Sequence, residues 1–282
     1  MIDLHTHSSV SDGTESPAEL MAAAAAAGLD AIALCDHDTF DGLDDAAEAA
    51  VGLGVELLRG IEISAELDGQ SVHLLGYGAR PDHPGLLAEL ELVRDGRTQR
   101  IPRMLERLAA AGMPVPAEVL DRHIGDSPSV GRPHLADAMV ELGYVADRRE
   151  AFDGWLADDR SIFVPRYGIP LRRALALVRA AGGAAVIAHP WGRQSREVLN
   201  EAVLAELAGA GLLDGLEVDH QDHDEQTRAE LRDLAQALNV LVTGSSDYHG
   251  LGKLGHGLGC NTSSAEVYGE LRRRIGERGG RA

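Results

Sequence analysis

The sequence predicts an α/β protein, a parallel β/α barrel interrupted by a helical insertion. Three observations carry that prediction. Short apolar segments alternate with longer helical ones at both ends of the chain, the pattern of parallel strands joined by helices. From about Asp82 to Pro165 the alternation breaks, and no convincing strand occurs before "SIFVP". The predicted strands also end repeatedly in His, Asp or Glu, as expected where a barrel gathers functional groups at its carboxyl rim. The 282 residues are enough for one such barrel.

Taken in order, "MIDLH" reads as the first strand. "SPAELMAAAAAAGLD" is a helix with Ser16 as N-cap, Pro17 at its first position and Gly28 as its stop. "AIALCDHD" is a buried strand, and "DGLDDAAEAAVGLG" a helix ending in glycine. "VELLRGIEIS" and "QSVHLLGYGA" each read as a strand. In the middle, "LLAELELVRDGRTQRIPRMLERLAAAG" and "PHLADAMVELG" are helical, with Pro102 a kink or boundary. Helix-then-strand units resume with "LRRALALVRAAGG" and "AAVIAHP", "AVLAELAGAG" and "LDGLEVDH", "RAELRDLAQALN" and "VLVTGSSDYH". The expected division is therefore barrel over 1–81 and 166–282, with a helical insertion over 82–165.

Bulk properties narrow the function. Apolar residues make up 44% and charged residues 25%, ordinary for a soluble globular protein. The net charge of −19 argues against a surface for long duplex nucleic acid, which needs clustered Lys and Arg. A small anionic substrate stays open if cations supply local positive charge. No charged segment followed by an apolar one precedes "MIDLHTH", and "LMAAAAAAGL" is too short to span a bilayer. Two cysteines, Cys35 and Cys260, make no disulfide framework. The expectation is a cytoplasmic protein without a membrane partner.

The chemistry lies in "DLHTHSSVSDG". Residues i and i+2 of a strand share a face, so His5 and His7 present two imidazoles together, with Asp12 in the turn beyond. Asp36, His37 and Asp38 end the second strand, Glu62 the third, and His73 lies on the fourth. His189, Glu217, His220, Asp247 and His249 end later strands. So many imidazoles at one barrel mouth would repel if protonated and are costly to bury unpaired. Divalent cations resolve both problems, because they take neutral imidazole and anionic carboxylate as ligands.

Together "DLHTHSSVSDG", "ALCDHDT", "GIEIS", "VHLLGY", "GRPH", "AHP" and "GSSDYHG" resemble the polymerase and histidinol phosphatase (PHP) superfamily. Within it the chain most resembles the stand-alone branch that hydrolyses nucleoside 3′,5′-bisphosphates and trims short oligoribonucleotides. The resemblance runs from Ile2 to about Gly259 and implies a distorted (β/α)7 barrel with a site for three divalent ions. It places His5, His7, Glu62 and Asp247 on one ion. Glu62 bridges to a second, completed by His73 and His134, and Asp12, His37 and His249 hold the third. Mixed nitrogen and oxygen ligation without cysteine suits Mn2+, with Fe2+ or Zn2+ as alternatives.

Further expectations concern substrate. His189 is the candidate to protonate the leaving oxygen or bind phosphate, and Arg132 and Arg166 are candidate phosphate ligands. His220 resembles a substrate-facing position, although the residue before it, often aromatic in the family, is Asp219 here. Asp36, Asp38 and Glu217 are expected to orient the ligating histidines. His83, His123, His223 and His256 are expected on the surface or in loops. The implied activity is removal of the 3′-phosphate of adenosine 3′,5′-bisphosphate, giving AMP, with 5′→3′ trimming of short RNA compatible. The alternatives are a histidinol-phosphate phosphatase and a non-catalytic PHP module.

Overall fold

The computed structural model describes residues 1–192 and 195–282. Strands β1 (Ile2–Thr6), β2 (Ala31–Leu34) and β3 (Glu56–Arg59) form a parallel sheet. A second sheet has the order β6-β4-β5-β7-β8-β9, built from β4 (Glu62–Leu67), β5 (Gln70–Tyr77), β6 (Ile169–Pro170), β7 (Ala184–Ile187), β8 (Gly215–Asp219) and β9 (Leu241–Gly244). Two bridges join the sheets, Thr6 to Tyr248 and His37 to Glu62. They complete a circuit running β2, β1, β9, β8, β7, β5, β4 and back to the end of β2. That circuit is the distorted α/β barrel expected from the sequence.

The helices behave as their end signals dictate. Helix α1 (Pro17–Ala26) has Ser16 and Glu19 in a reciprocal capping box and Pro17 in its first turn. Gly28 follows it at φ +73°, a conformation that costs glycine little. Helix α2 is Leu43–Ala50. Later helices α7 (Leu171–Ala180), α8 (Glu201–Gly209), α9 (Glu225–Leu238) and α10 (Ala265–Arg278) surround the strands. Among the described residues, no helix is long and apolar enough to cross a membrane.

Four local expectations are corrected. "VELLRGIEIS" is two strands, because the chain leaves one sheet for the other at Gly60 and Ile61. A Cβ at Gly60 would lie 2.5 Å from Cys35 Sγ and 2.9 Å from the Leu34 carbonyl oxygen. The sheet is also not parallel throughout. Strand β5 is antiparallel to both β4 and β7, since the short Asp68–Gly69 turn, with both residues at positive φ, can only return the chain alongside itself. "SIFVP" is not a strand; Ile162 and Val164 instead fill the core of the inserted helices. Finally, Pro102 lies inside α3 (Pro84–Ala110), which runs on for 27 residues. The flanking Ile101 and Met104 are buried, and that packing offsets the missing backbone donor.

Helix α3 ties the insertion to the barrel. Its first half puts Leu86, Leu90 and Val93 into the barrel core. Its second half puts Ile101, Met104 and Leu108 into a separate core shared with α4 (Ala117–Ile124), α5 (Arg132–Glu141) and α6 (Arg148–Ala151). Between the two cores stand Arg97 and Arg100, both 5% exposed.

Candidate metal centre

The end of β1, the end of β2, the start of β4, the middle of β5 and the segment after β9 face one another. His5, His7, Asp12, His37, Glu62, Asp247 and His249 are all buried there. The Nε2 atoms of His5 and His7 lie 3.0 Å apart. Glu62 Oε2 is 3.3 Å from the first and 3.2 Å from the second, and Asp247 Oδ1 is 3.6 and 3.4 Å from them. Four ligands in a tetrahedron with bonds of about 2.1 Å would be separated by about 3.4 Å. Five of the six edges, at 3.0–3.6 Å, lie near that figure; His5, His7 and Asp247 form one close group, and Glu62 Oε2 lies against both imidazoles.

A second group surrounds Asp12. Its carboxylate oxygens are 3.3 Å from His249 Nε2 and 3.6 Å from His37 Nε2. A third surrounds the other oxygen of Glu62, 2.7 Å from His73 Nδ1 and 3.3 Å from His189 Nε2. His37 Nδ1 is buried without a hydrogen-bond partner, although Glu62 Oε2 is 3.0 Å away. A lone pair is thus left in the cluster. Such orphaned nitrogen, opposed nitrogen pairs and shared carboxylates are what a cation site presents.

The surroundings fix which nitrogen of each ring faces inward. His5 Nδ1 donates to Glu217 Oε1 at 3.0 Å, and His249 Nδ1 donates to the Asp247 carbonyl at 2.8 Å. Both leave Nε2 free to act as a ligand. Electrostatics follow the crowding. Burial opposes a charged His5, but Glu62, Glu217 and Asp247 reverse this and raise its pKa well above the ordinary value. His37 goes well below, chiefly through burial. Burial works against the charge on Asp12, Glu62 and Asp247, yet the imidazoles around them, and Lys253 beside Asp247, hold all three well below the usual carboxylate range.

Several sequence expectations change at this point. His189 takes the place beside Glu62 and His73 that the resemblance gave to His134, with the His73 and His189 rings 5.4 Å apart. His189 is carried there by the end of β7, at φ +29°. His134 opens α5, where its Nδ1 accepts the Gly131 N–H at 3.0 Å, and its electrostatic neighbours are Asp12, Arg148 and Asp137. Helix α5 belongs to the insertion, so His134 approaches from the Asp12 side. His220 stands beside Asp247, with its ring 5.0 Å from that of His189. It is fully buried, its Nδ1 accepts the Asp222 N–H at 3.0 Å, and its Nε2 lies 3.2 Å from Asp247 Oδ2. It holds Asp247 in place. Asp219 is bound at 2.7 and 2.9 Å by Arg232.

Of the three orienting carboxylates, only Glu217 does that work, on His5 and on the backbone N–H of His189 at 2.8 Å. Asp36 binds Ser8 and Ser11, and Asp38 binds Ser64 and Arg97, so both brace the turns that carry the ligands. His223 and His256 lie in loops, one of the two expected settings, but are buried there, with Nδ1 of each paired to a carbonyl. His256 joins His220 and Asp247 in a further close group, and Lys253 forms an ion pair with Asp247. Neither was legible in sequence, because both lie on an irregular loop with no strand pattern. His83 caps α3, and His123 pairs with Glu141 near the surface.

Arg132 and Arg166 stand at the seam between insertion and barrel. Arg132 binds the Leu156 carbonyl at 2.8 Å and Asp158, with its guanidinium over Phe152 and Phe163. Arg166 binds the Tyr167 carbonyl at 2.8 Å.

Comparison with known proteins agrees with this geometry. The PHP domain family matches residues 3–92. The chain is 33% identical to a 5′-3′ exoribonuclease of Haemophilus influenzae, over 88% of this chain and 89% of that one. It is also 33% identical to a 3′,5′-nucleoside bisphosphate phosphatase of Chromobacterium violaceum, over 92% and 90%. A solved structure from Bifidobacterium adolescentis, assigned as a metal-dependent phosphoesterase, superimposes with a TM-score of 0.91 at 34% identity, covering 97% and 96%. With its barrel rim lined by imidazoles and carboxylates, and with these relatives along nearly its whole length, the chain belongs to the PHP family.

Proposed function

We propose that this chain is a metal-dependent phosphohydrolase that removes the 3′-phosphate of adenosine 3′,5′-bisphosphate and also acts 5′→3′ on short RNA. The observation that carries the reading is the set of three adjoining, buried ligand groups, two of which share Glu62. Two or more clustered divalent ions supply a nucleophile at neutral pH and neutralise charge on a phosphoryl group. The donor set fits three such ions, with Mn2+ favoured by its nitrogen and oxygen mixture. His5, His7, Glu62 and Asp247 would hold one. Glu62, His73 and His189 would hold the second, and Asp12, His37 and His249 the third.

The remaining residues keep this set in place. Glu217 fixes the tautomer of His5, His220 secures Asp247, and Asp36 ties the Ser8–Ser11 turn that delivers Asp12. His134 and Arg132 approach from the insertion and suit contact with a phosphate group. The names of the similar proteins support a nucleotide over histidinol phosphate.

The test is phosphate release by Mn2+-loaded protein from adenosine 3′,5′-bisphosphate, histidinol phosphate and a short 5′-phosphorylated RNA. We expect the bisphosphate to have the highest kcat/KM. Preference for histidinol phosphate would overturn the substrate assignment. Protein that binds no divalent ion and turns over none of the three would be a non-catalytic PHP module.

A further inference from the structure

The turn that delivers Asp12 is held from two sides. Asp36 binds Ser8 and Ser11 from the barrel, and the insertion takes the turn's carbonyls. Ser127 Oγ lies 2.9 Å from the Val10 carbonyl oxygen and 3.0 Å from that of Ser11. Arg148, which opens α6, donates from Nη1 to the next carbonyl, that of Asp12 itself, at 2.9 Å. Among the described residues, no backbone N–H reaches any of these three carbonyls.

The rest of the Arg148 guanidinium is committed as well. Nε and Nη2 each bind one oxygen of Asp137, on α5, at 2.6 Å. Pairing at two points fixes the plane of the group and offsets its charge, so it can stand near a cation site and still offer a donor. Its other side meets the segment that follows His249. A Cβ on Gly252 would fall onto Nη1 and lie 2.5 Å from Cζ. Only glycine admits so close an approach, because Asp137 and the Asp12 carbonyl leave the guanidinium nowhere to retreat. The same segment is stitched to the turn: the Thr14 N–H donates to the His249 carbonyl at 3.3 Å, and the Leu251 N–H to Thr14 Oγ1 at 2.9 Å. Asp12 and His249 are the pair whose ligand atoms lie 3.3 Å apart. One side chain from the insertion therefore touches both backbone segments that carry them.

We propose that Arg148 is a positioning residue for the cation group of Asp12, His37 and His249, which is complete only while the insertion is docked on the barrel. Arg148 acts through the backbone, on the Asp12 carbonyl and against Gly252, and leaves the ligand atoms themselves to the ion. By thermodynamic reciprocity, an ion in this group holds the insertion to the barrel by the same factor. The placement of Arg148 stands on its contacts, whereas the ion rests on the metal-dependent reading above.

Two measurements separate the placement from that reading. The first follows amide hydrogen exchange over residues 8–14 and 249–252 in the full chain stripped of metal by EDTA. Exchange should quicken at least ten-fold in R148A and in G252A, and stay within two-fold of wild type in R149M, whose side chain is exposed. The double variant D137N/R148A, which strands no carboxylate, should match R148A; a return to wild-type exchange there would trace the effect to Asp137 and overturn the placement. Because both changes act on one contact, G252A added to R148A should quicken exchange no further. Independent effects of the two, or exchange in R148A within two-fold of wild type, would also overturn it. The second measurement is calorimetric titration of Mn2+. The wild type should take three ions, and R148A should weaken one of them ten-fold or more while leaving the others within two-fold. R148K, which keeps a cationic donor, should recover part of that loss. Equal weakening of all three ions, or of none, would overturn the positioning role. A wild type that binds no Mn2+ would defeat the metal-dependent reading, and the exchange result would still decide whether Arg148 holds the turn.

Discussion

Glu217 offers the sharpest test of how the candidate metal centre is held. It lies in the middle of β8, is fully buried, and accepts three hydrogen bonds: from His5 Nδ1 at 3.0 Å, from the His189 backbone N–H at 2.8 Å, and from Ser245 Oγ. Burial opposes its charge, yet His5 and its other imidazole neighbours hold its pKa well below the usual carboxylate range, so it is ionised at neutral pH. Glu217→Ala leaves three buried donors unanswered, at roughly 1–3 kcal/mol each. Allowing for relaxation, a loss of about 3–5 kcal/mol is expected, a large part of the ~5–15 kcal/mol available to a typical domain.

Glu217→Gln is the more informative change. It keeps the shape and one acceptor but turns an NH2 group towards a donor, costing about 1–3 kcal/mol. It also removes the charge that makes His5 a better ligand. Loss of such a supporting contact lowers metal affinity by roughly 10–100-fold. The assay is calorimetric Mn2+ titration of dialysed protein, alongside urea unfolding. E217Q that binds Mn2+ within two-fold of wild type, with the same urea midpoint, would refute the claim that this carboxylate sets the tautomer of His5.

Three other outcomes follow from the packing. Asp214, 1% exposed, accepts from the Ala185 N–H at 2.9 Å and from Arg278 at 2.7 Å, with Arg179 and Arg274 nearby. Burial opposes its charge, but these partners depress its pKa below the unfolded value of ~3.9. Its stabilisation is therefore complete above about pH 4 and is lost as pH falls through the lower folded pKa. Asp214→Asn should cost about 3–5 kcal/mol at pH 7 and flatten the acid limb of a plot of stability against pH. Arg97→Met strands the buried Asp38 carboxylate and should cost a similar ~3–5 kcal/mol, most of it recovered in the Arg97→Met, Asp38→Asn double variant; urea melts of the three proteins would show whether the pair is coupled. Gly78 sits at φ +65°, and a Cβ there would lie 2.4 Å from Ile275 Cγ2. Gly78→Ala should lower stability by about 1–3 kcal/mol in thermal melts, through backbone strain and displacement of α10.

The sequence by itself determined the elements with strong local signals and the chemistry of the rim. Ser16, Pro17 and Gly28 bound α1 through caps and backbone preferences that act within a few residues. The two-residue repeat of β1 put His5 and His7 on one face, whatever the rest of the chain did. Ligand types could be read too, because neutral imidazole and carboxylate gathered at strand ends suit few purposes other than a cation.

Tertiary structure decided what depends on approach from a distance. The sequence reading put His134 beside Glu62 and gave His189 another role, but the end of β7 delivers His189 to that carboxylate, and α5 brings His134 towards Asp12. The antiparallel setting of β5 put His73 beside Glu62 from the middle of a strand and not its end. Burial of Arg97 and Arg100 likewise arises only where two separately packed cores meet along α3. Short-range backbone preferences are written residue by residue, whereas contacts between side chains more than a hundred positions apart exist only once the barrel has closed.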